Sequence, residues 1–465
     1  MLNRAVSILE KGQKNNFIFF IKKKKYISSH IGSGFFQESI KDRNKLCIKS
    51  ISKLNQMKII KEVNLIILIL MISISMFIGE PATEKAELRK LDNDNFIILT
   101  IEGQGQHSII NENYNYLPTI IKINDNEEIT ISGNEDLIQN FELEVNTLKM
   151  TWNSSLNSLK NMFLNLYNIT MIDLTNFDFS LVTDMESFFE GCISLKSVNL
   201  NNVNAFNVVN MNNMFKGCEE LESVNFDNFK ANNIQYLSFT FYRCKKIIFI
   251  DLSSLETPNL LSLSYTFSEC ESLQSIKLDN FLTSKVTHMD GTFQNCYVLS
   301  SLNISHFNTE SVTITQKMFE KCHGFTFLDL SNFKTPSLTN MHAMFYNCKN
   351  LLSLDISNFN TTLVTQMGQV FDSCHAITSL NLSHFYTPLV TSIMHLFYGC
   401  YKLEFLDMSN FNTEKVNNMQ YLFINCQSLK SLNLSNFNTS NVQTMEHMFD
   451  GCYNLETLDI SSFQT

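Results

Sequence analysis

Eleven cysteines recur at a single interval: Cys192, Cys218, Cys244, Cys270, Cys296, Cys322, Cys348, Cys374, Cys400, Cys426 and Cys452 are each 26 residues apart, with no insertion. A fixed period of this size is the signature of stacked structural repeats. A phenylalanine three residues before each cysteine keeps the same interval, from Phe189 and Phe215 to Phe423 and Phe449. One further unit lies upstream, with Phe163 and Leu166 in the two columns, making 12 units. At 465 residues the chain is too long for one compact core, and a repeat array is the way around that limit.

After each cysteine comes Leu-x-x-Leu-x-Leu, as in Leu429, Leu432 and Leu434, or Leu351, Leu354 and Ile356. The last two apolar residues alternate with a polar one, which predicts a strand with one buried face. A phenylalanine column follows (Phe281, Phe307, Phe333, Phe359, Phe385, Phe411, Phe437, Phe463), then a polar Asn-Thr-like turn, then Val442, Met445, Met448 and Phe449 in the last unit. Spacings of three, three and one predict a stripe on one face of a short helix. Gly or Asn precedes the cysteine at Gly191, Gly217, Asn295, Asn347, Gly399, Asn425 and Gly451, residues that tolerate the left-handed conformation ending a helix. Each unit therefore reads strand, turn, short helix, turn.

Segments such as Ser431-Leu432-Asn433-Leu434-Ser435-Asn436-Phe437-Asn438-Thr439-Ser440-Asn441-Val442, leading to Met448-Phe449-Asp450-Gly451-Cys452, resemble the 26-residue repeat of BspA-like leucine-rich-repeat surface proteins. The resemblance covers 156–465. It implies an α/β repeat solenoid, a right-handed leucine-rich-repeat superhelix with short helices on the convex side and a parallel sheet on the concave side. It also implies a secreted or surface role in adhesion. Thr315 and Ile393 replace the first methionine of the helical stripe, and Arg243, Glu269, Lys321 and Ser373 replace the Gly/Asn. Twelve coils at about 4.8 Å each make the array roughly 55–60 Å long.

The segments before the repeats differ from them. Residues 1–56 form a basic extension of doubtful authenticity, with Lys22 to Lys25 behind the apolar Phe17–Ile21. From Met57 a basic start leads into an apolar run from Val63 to Ile78, and Ser73 and Ser75 suit a cleavage site; 57–79 reads as a signal peptide or, uncleaved, a single membrane anchor. Residues 80–155 are β-rich, with Phe96–Ile101, Thr119–Ile123 and Ile129–Ile131 separated by Asn/Asp/Gly turns. They predict a small N-terminal β cap over the open end of the solenoid, closing with Leu148–Trp152. The chain stops at Thr465 in mid-repeat, which reads as a truncation.

Charge bounds the partners. Residues 1–56 hold 12 Lys/Arg against 3 Asp/Glu, leaving 23 against 42, or −19, for the rest. Such an acidic body repels a phosphate backbone, so no nucleic acid is expected. The ten histidines fall at unrelated repeat positions, for example His288, His306, His342 and His395, and neither a nucleophile elbow nor a phosphate loop appears. Neither a catalytic site nor a cofactor is expected. No Cys-x-x-Cys pair points to zinc, and lone Asp residues one repeat apart make a poor calcium site, so no metal is expected.

The cysteine column suits a structural ladder of buried free thiols, although stacked coils and export would permit disulfides. The polar column between the two strand hydrophobes is Asp173, Asn199, Asn225, Asp251, Lys277, Asn303, Asp329, Asp355, Asn381, Asp407, Asn433 and Asp459. It points away from the core and predicts an acidic stripe on the concave face, with few like charges directly opposite one another. Flanking outward positions add Ser197, Ser275, Ser353 and Ser431 but also Phe249, Phe327 and Phe405. Exposed aromatics among small hydroxyls suggest a protein-binding surface of Phe249, Asp251, Phe327, Asp329, Asp355, Phe405 and Asp407. The bland reading is a solvated face with Asn/Asp bonding along the ladder.

The asparagines after the strand (Asn202, Asn228, Asn280, Asn332, Asn358, Asn410, Asn436) read as turn-satisfying residues. Sequons at Asn153, Asn168, Asn303, Asn360, Asn381, Asn433 and Asn438 are glycosylation candidates, three of them on the face offered for binding. The expectation is an extracellular or cell-surface adhesion protein that presents this face to a protein partner. The alternatives are a coat component that self-associates and an intracellular scaffold beginning at Met1.

Overall fold

The computed structural model describes residues 95–464. The extension 1–56, the apolar segment 57–79 and the start of the predicted cap lie outside the described residues. Among the described residues no helix is long and apolar enough to cross a membrane.

The N-terminal part is antiparallel. It contains β1 (Asn95–Glu102), β2 (Gly105–Ser108), β3 (Ile120–Ile123), β4 (Glu128–Thr130), β5 (Ile138–Phe141) and β6 (Val145–Trp152). Alternation decides which side of β1 and β6 is buried: Ile97, Leu99 and Ile101 face inward with Leu148, Met150 and Trp152. β1 pairs with β6 on one side and with β7 (Ile169–Asp173) on the other, both antiparallel. The edge of the first coil's strand is thus filled by β1 rather than left open.

From β7 onward the strands are parallel and follow the 26-residue period. They are β8 (Ser197–Asn199), β9 (Ser223–Asn225), β10 (Phe249–Asp251), β11 (Ser275–Lys277), β12 (Phe327–Asp329), β13 (Ser353–Asp355), β14 (Ser379–Asn381), β15 (Phe405–Asp407), β16 (Ser431–Asn433) and β17 (Thr457–Asp459). They pair within β7–β8–β9, β10–β11, β12–β13, β14–β15 and β16–β17, each in phase, as in Phe327↔Ser353, Leu328↔Leu354 and Asp329↔Asp355. The coil between β11 and β12 carries no strand of its own and joins the ladder by one bridge, Ser275↔Ser301.

The short helices expected opposite the strands are absent: the described residues contain no α-helix, and the stripe lies on stacked turns. Val416, Met419, Leu422 and Phe423 are buried as a stripe should be. A spacing of three, however, fits successive three-residue turns as well as a helix. Alternate N–H groups bond three residues back, as Phe188 to Met185 and Cys192 to Phe189 do. The N–H groups between them bond to the next coil, as Ser187 to Asn212, Phe189 to Met214 and Gly191 to Lys216 do. Helical bonding would leave those neighbouring carbonyls without donors.

This alternation needs left-handed residues at two positions per coil, five residues and one residue before the cysteine. Gly217 (φ 75°) suits the second, but Arg243 (62°), Glu269 (59°), Lys321 (58°) and Ser373 (59°) adopt it too. The first position is filled by residues as varied as Ser187, Phe239, Ala343 and Gln369. Stacking imposes a conformation that these side chains disfavour by about 1–2 kcal/mol each.

Two of the interior columns show how one coil locks onto the next. Twelve rings from Phe163 to Phe449 stack in register, with centroids 5.3–5.9 Å apart and planes within 20°. The second is a buried threonine column, including Thr283, Thr335, Thr387 and Thr413. The Thr335 hydroxyl donates to the Asn360 carbonyl (3.2 Å) and accepts from the Asn360 N–H (2.9 Å), so it bonds both backbone groups of one residue in the next coil. Thr335→Val keeps the shape and orphans both groups. It should lower unfolding free energy by about 2–3 kcal/mol in urea denaturation, and a neutral result would contradict this role.

Candidate binding face

The strand face is built from the first and third residues of each strand triplet, because the middle residue points into the core. Phe249, Phe327 and Phe405 are 43%, 57% and 56% exposed. Ser301, Ser353, Ser379 and Ser431 hold the same column in other coils and are also exposed. Asp329 is exposed, and Asp251, Asp355 and Asp407 are partly so.

The Asp/Asn column carries a structural role that strand alternation alone does not reveal. Its Oδ1 accepts the backbone N–H two residues on: Ser253 to Asp251 (3.0 Å), Ser331 to Asp329 (2.9 Å), Ser357 to Asp355 (3.0 Å), Ser383 to Asn381 (3.0 Å) and Ser409 to Asp407 (3.0 Å). Each is an Asx turn that ends its strand. Asp and Asn supply the same oxygen, which is why they interchange along the column; Lys277 is the exception. The Ser331 hydroxyl and N–H hold the Asp329 carboxyl below its ordinary range, and Ser461 does the same for Asp459. Burial pushes Asp251 up, but bonds from Lys277 and Ser253 outweigh it and hold it low.

The charges are less evenly spaced than the column suggests. Asp329 and Asp355 are register partners, so two carboxylates lie side by side, whereas Asp251 is opposite Lys277. Lys277 Nζ reaches Asp251 Oδ2 at 2.6 Å and lies 5.4 Å from the Phe249 ring centroid.

An order along the face emerges only when its columns are compared across coils. Met171-Ile172-Asp173, Phe249-Ile250-Asp251, Phe327-Leu328-Asp329 and Phe405-Leu406-Asp407 are 78 residues, or three coils, apart. Two coils with Ser or Thr in the first position follow each of them. The signal was available as the spacing of the three phenylalanines.

The sequons at Asn303, Asn381 and Asn433 are exposed on this face, and those at Asn153 and Asn360 are exposed elsewhere. Asn168 bonds the His107 ring, and Asn438 caps the Ser440 N–H. At Asn303, Asn381 and Asn433 the asparagine is what the Asx turn uses, and the serine two residues on also stands in the Asp-x-Ser turns at 251–253, 329–331 and 407–409. Of the post-strand asparagines, Asn280, Asn358 and Asn436 reach backbone carbonyls of the preceding coil, as Asn436 Nδ2 does to Phe411 O (2.9 Å), and Asn228 bonds the Asn202 side chain.

The column cysteines are free; ten are buried and Cys452 is partly exposed. Each thiol donates to the carbonyl of the phenylalanine 29 residues back, at 3.0–3.2 Å. Burial pushes Cys192 and Cys348 up to about 12 and Cys452 to about 11. Among the described residues no group of three or more His, Cys, Asp or Glu could hold a metal ion.

A family profile described as "Mycoplasma protein of unknown function, DUF285" matches residues 157–277, 261–385, 318–405 and 370–465. No curated protein sequence matches significantly. A leucine-rich repeat protein from Bacteroides ovatus is 19% identical with a TM-score of 0.37, covering 68% of this chain and 81% of its own. A leucine rich cell surface protein from Faecalibacterium prausnitzii is 17% identical with a TM-score of 0.30, covering 66% and 88%. The Drosophila Toll–Spatzle complex matches at 14% identity and a TM-score of 0.28, covering 62% and 43%.

Two outcomes follow from this geometry. A thiol-reactive dye applied to the native chain should label Cys452 ahead of the other ten column cysteines, and equal labelling of all eleven would contradict their burial. Asn381→Ala should cost about 1 kcal/mol by removing the turn acceptor, as read by urea denaturation. A lowered folded pKa gives stability that is present above the unfolded value and lost as pH falls through the folded one. The Asp329 carboxyl, held low by Ser331, contributes in this way, so Asp329→Asn should lose less stability than the parent as pH falls, as read by urea midpoints across the pH series.

Proposed function

Because the chain belongs to the DUF285 family, whose description names no activity, we propose from its own geometry that it is a recognition protein that holds a protein partner on its strand face. The observation that carries this reading is the row Phe249, Phe327 and Phe405: three large apolar side chains standing in solvent on strand positions. A folding requirement would bury them. Strands fixed by coil-to-coil bonding hold such anchors in place before binding, which reduces the ordering cost of association.

The sequence before the repeats favours a role outside the cell. The basic-then-apolar segment 57–79 has the layout of a signal peptide or anchor, and the repeat columns resemble those of BspA-like adhesion proteins. The acidic body adds a preference for partners carrying positive charge.

The test uses purified chain and a panel of extracellular matrix proteins and intact cells, read by surface plasmon resonance and flow cytometry. The Phe327→Ser/Phe405→Ser variant should lose at least tenfold in affinity for whatever the parent binds, with its unfolding midpoint unchanged. Serine is already the native residue of this column in neighbouring coils, so the fold tolerates it. Binding that survives in this variant would overturn the assignment of the face.

A further inference from the structure

We infer that the Phe-x-Asp triplets 327–329 and 405–407 are paired receptors for two lysine or arginine side chains of one extended polypeptide, a reading that rests on the strand face being the binding surface. The chain itself displays the chemistry at the equivalent triplet 249–251. There Lys277, from the next coil, places Nζ 2.6 Å from Asp251 Oδ2 and 5.4 Å from the Phe249 ring centroid. One cation thus pairs with the carboxylate and lies over the aromatic ring, an arrangement both groups favour. Phe249 is accordingly the least exposed of the three phenylalanines.

The other two triplets lack this internal cation. The positions equivalent to Lys277 are Asp355 beside Phe327 and Asn433 beside Phe405. Among the described residues no Lys, Arg or His forms an ion pair with Asp329, Asp355 or Asp407. Each of these carboxylates uses Oδ1 for its own Asx turn, which leaves Oδ2 for an outside donor. The 327–329 site is the stronger of the two, because Asp355 adds a second negative charge in register.

Spacing sets the conformation of the partner. Three coils at about 4.8 Å place equivalent groups about 14 Å apart. An extended chain advances about 3.3–3.4 Å per residue, so side chains four residues apart lie about 13–14 Å apart on one side. A helix lying along the axis repeats its face every seven or eleven residues, at about 10 or 16 Å, and misses both sites together. The occupant is therefore a basic segment in extended conformation running along the solenoid axis, with cationic side chains four residues apart.

The experiment measures binding of fluorescent peptides to the full chain by anisotropy at low salt. One peptide carries two lysines four residues apart in a threonine-rich background; its control carries them three apart, on opposite sides of the extended chain. The first should bind about tenfold more tightly, and Phe327→Ser/Phe405→Ser and Asp329→Asn/Asp407→Asn should each remove about that factor. The replacements are residues native to these columns in other coils, and asparagine keeps the turn acceptor. Lys277→Asn should free the third site and raise affinity several-fold for a peptide with three lysines at the same spacing. Equal affinity for the two spacings, or no gain from Lys277→Asn, overturns the proposal. If the peptides fail while the partner found on the matrix and cell panel still requires Phe327 and Phe405, the basic extended ligand is wrong and the face stands. If that requirement is absent as well, both readings fall.

Discussion

Everything in this molecule depends on the bonds that one coil leaves for the next. On the turn side, alternate N–H groups have no acceptor within their own coil and find one only in the coil that follows. The strand side adds parallel pairing between neighbouring coils within β7–β9, β10–β11, β12–β13, β14–β15 and β16–β17. A single coil is therefore not a stable unit, and stability accumulates through nearest-neighbour interfaces. One stride must serve both sides, so an insertion in any coil would put its donors out of register with the carbonyls above. The uninterrupted 26-residue interval follows from this constraint.

The columns follow from the same rule. Superposing each coil on the next sets every side chain against its counterpart, so a residue type survives where it packs well against itself. Phenylalanine does so by offset stacking. Threonine does so because one hydroxyl serves both a donor and an acceptor in the neighbouring coil. Cysteine fits where a small apolar side chain is wanted and its S–H can reach a phenylalanine carbonyl. That explanation is independent of redox environment, since Cys192 and its neighbours meet a backbone oxygen rather than one another.

Most of the burial pattern was legible from periodicity, because the apolar columns face inward whatever the backbone does between them; the buried threonine column was not legible this way. The helix reading failed for a definite reason. Val416, Met419, Leu422 and Phe423 carry a spacing shared by helices and stacked turns, and only the destination of the alternate N–H groups separates the two. The first left-handed column was invisible, since Phe239, Ala343 and Gln369 resemble nothing that prefers that conformation. The Asp/Asn column was read as a surface feature because strand alternation places its side chains outside, although their turn bonds follow the backbone two residues ahead. The three-coil order of Phe249, Phe327 and Phe405 escaped because each column was read along its length, without the column beside it.

The Asx turn at the end of each strand has a consequence for how such a surface changes over generations. Its oxygen comes equally well from a carboxylate or an amide, so one nucleotide change between Asp and Asn codons alters the charge of a coil while the scaffold stays the same. The hydroxyl column next to it exchanges Ser for Phe with as little effect on the coil. A lineage can therefore rewrite the recognition surface step by step, at sites where selection for folding is nearly silent. The invariant interior is what leaves the exterior free to drift toward new partners.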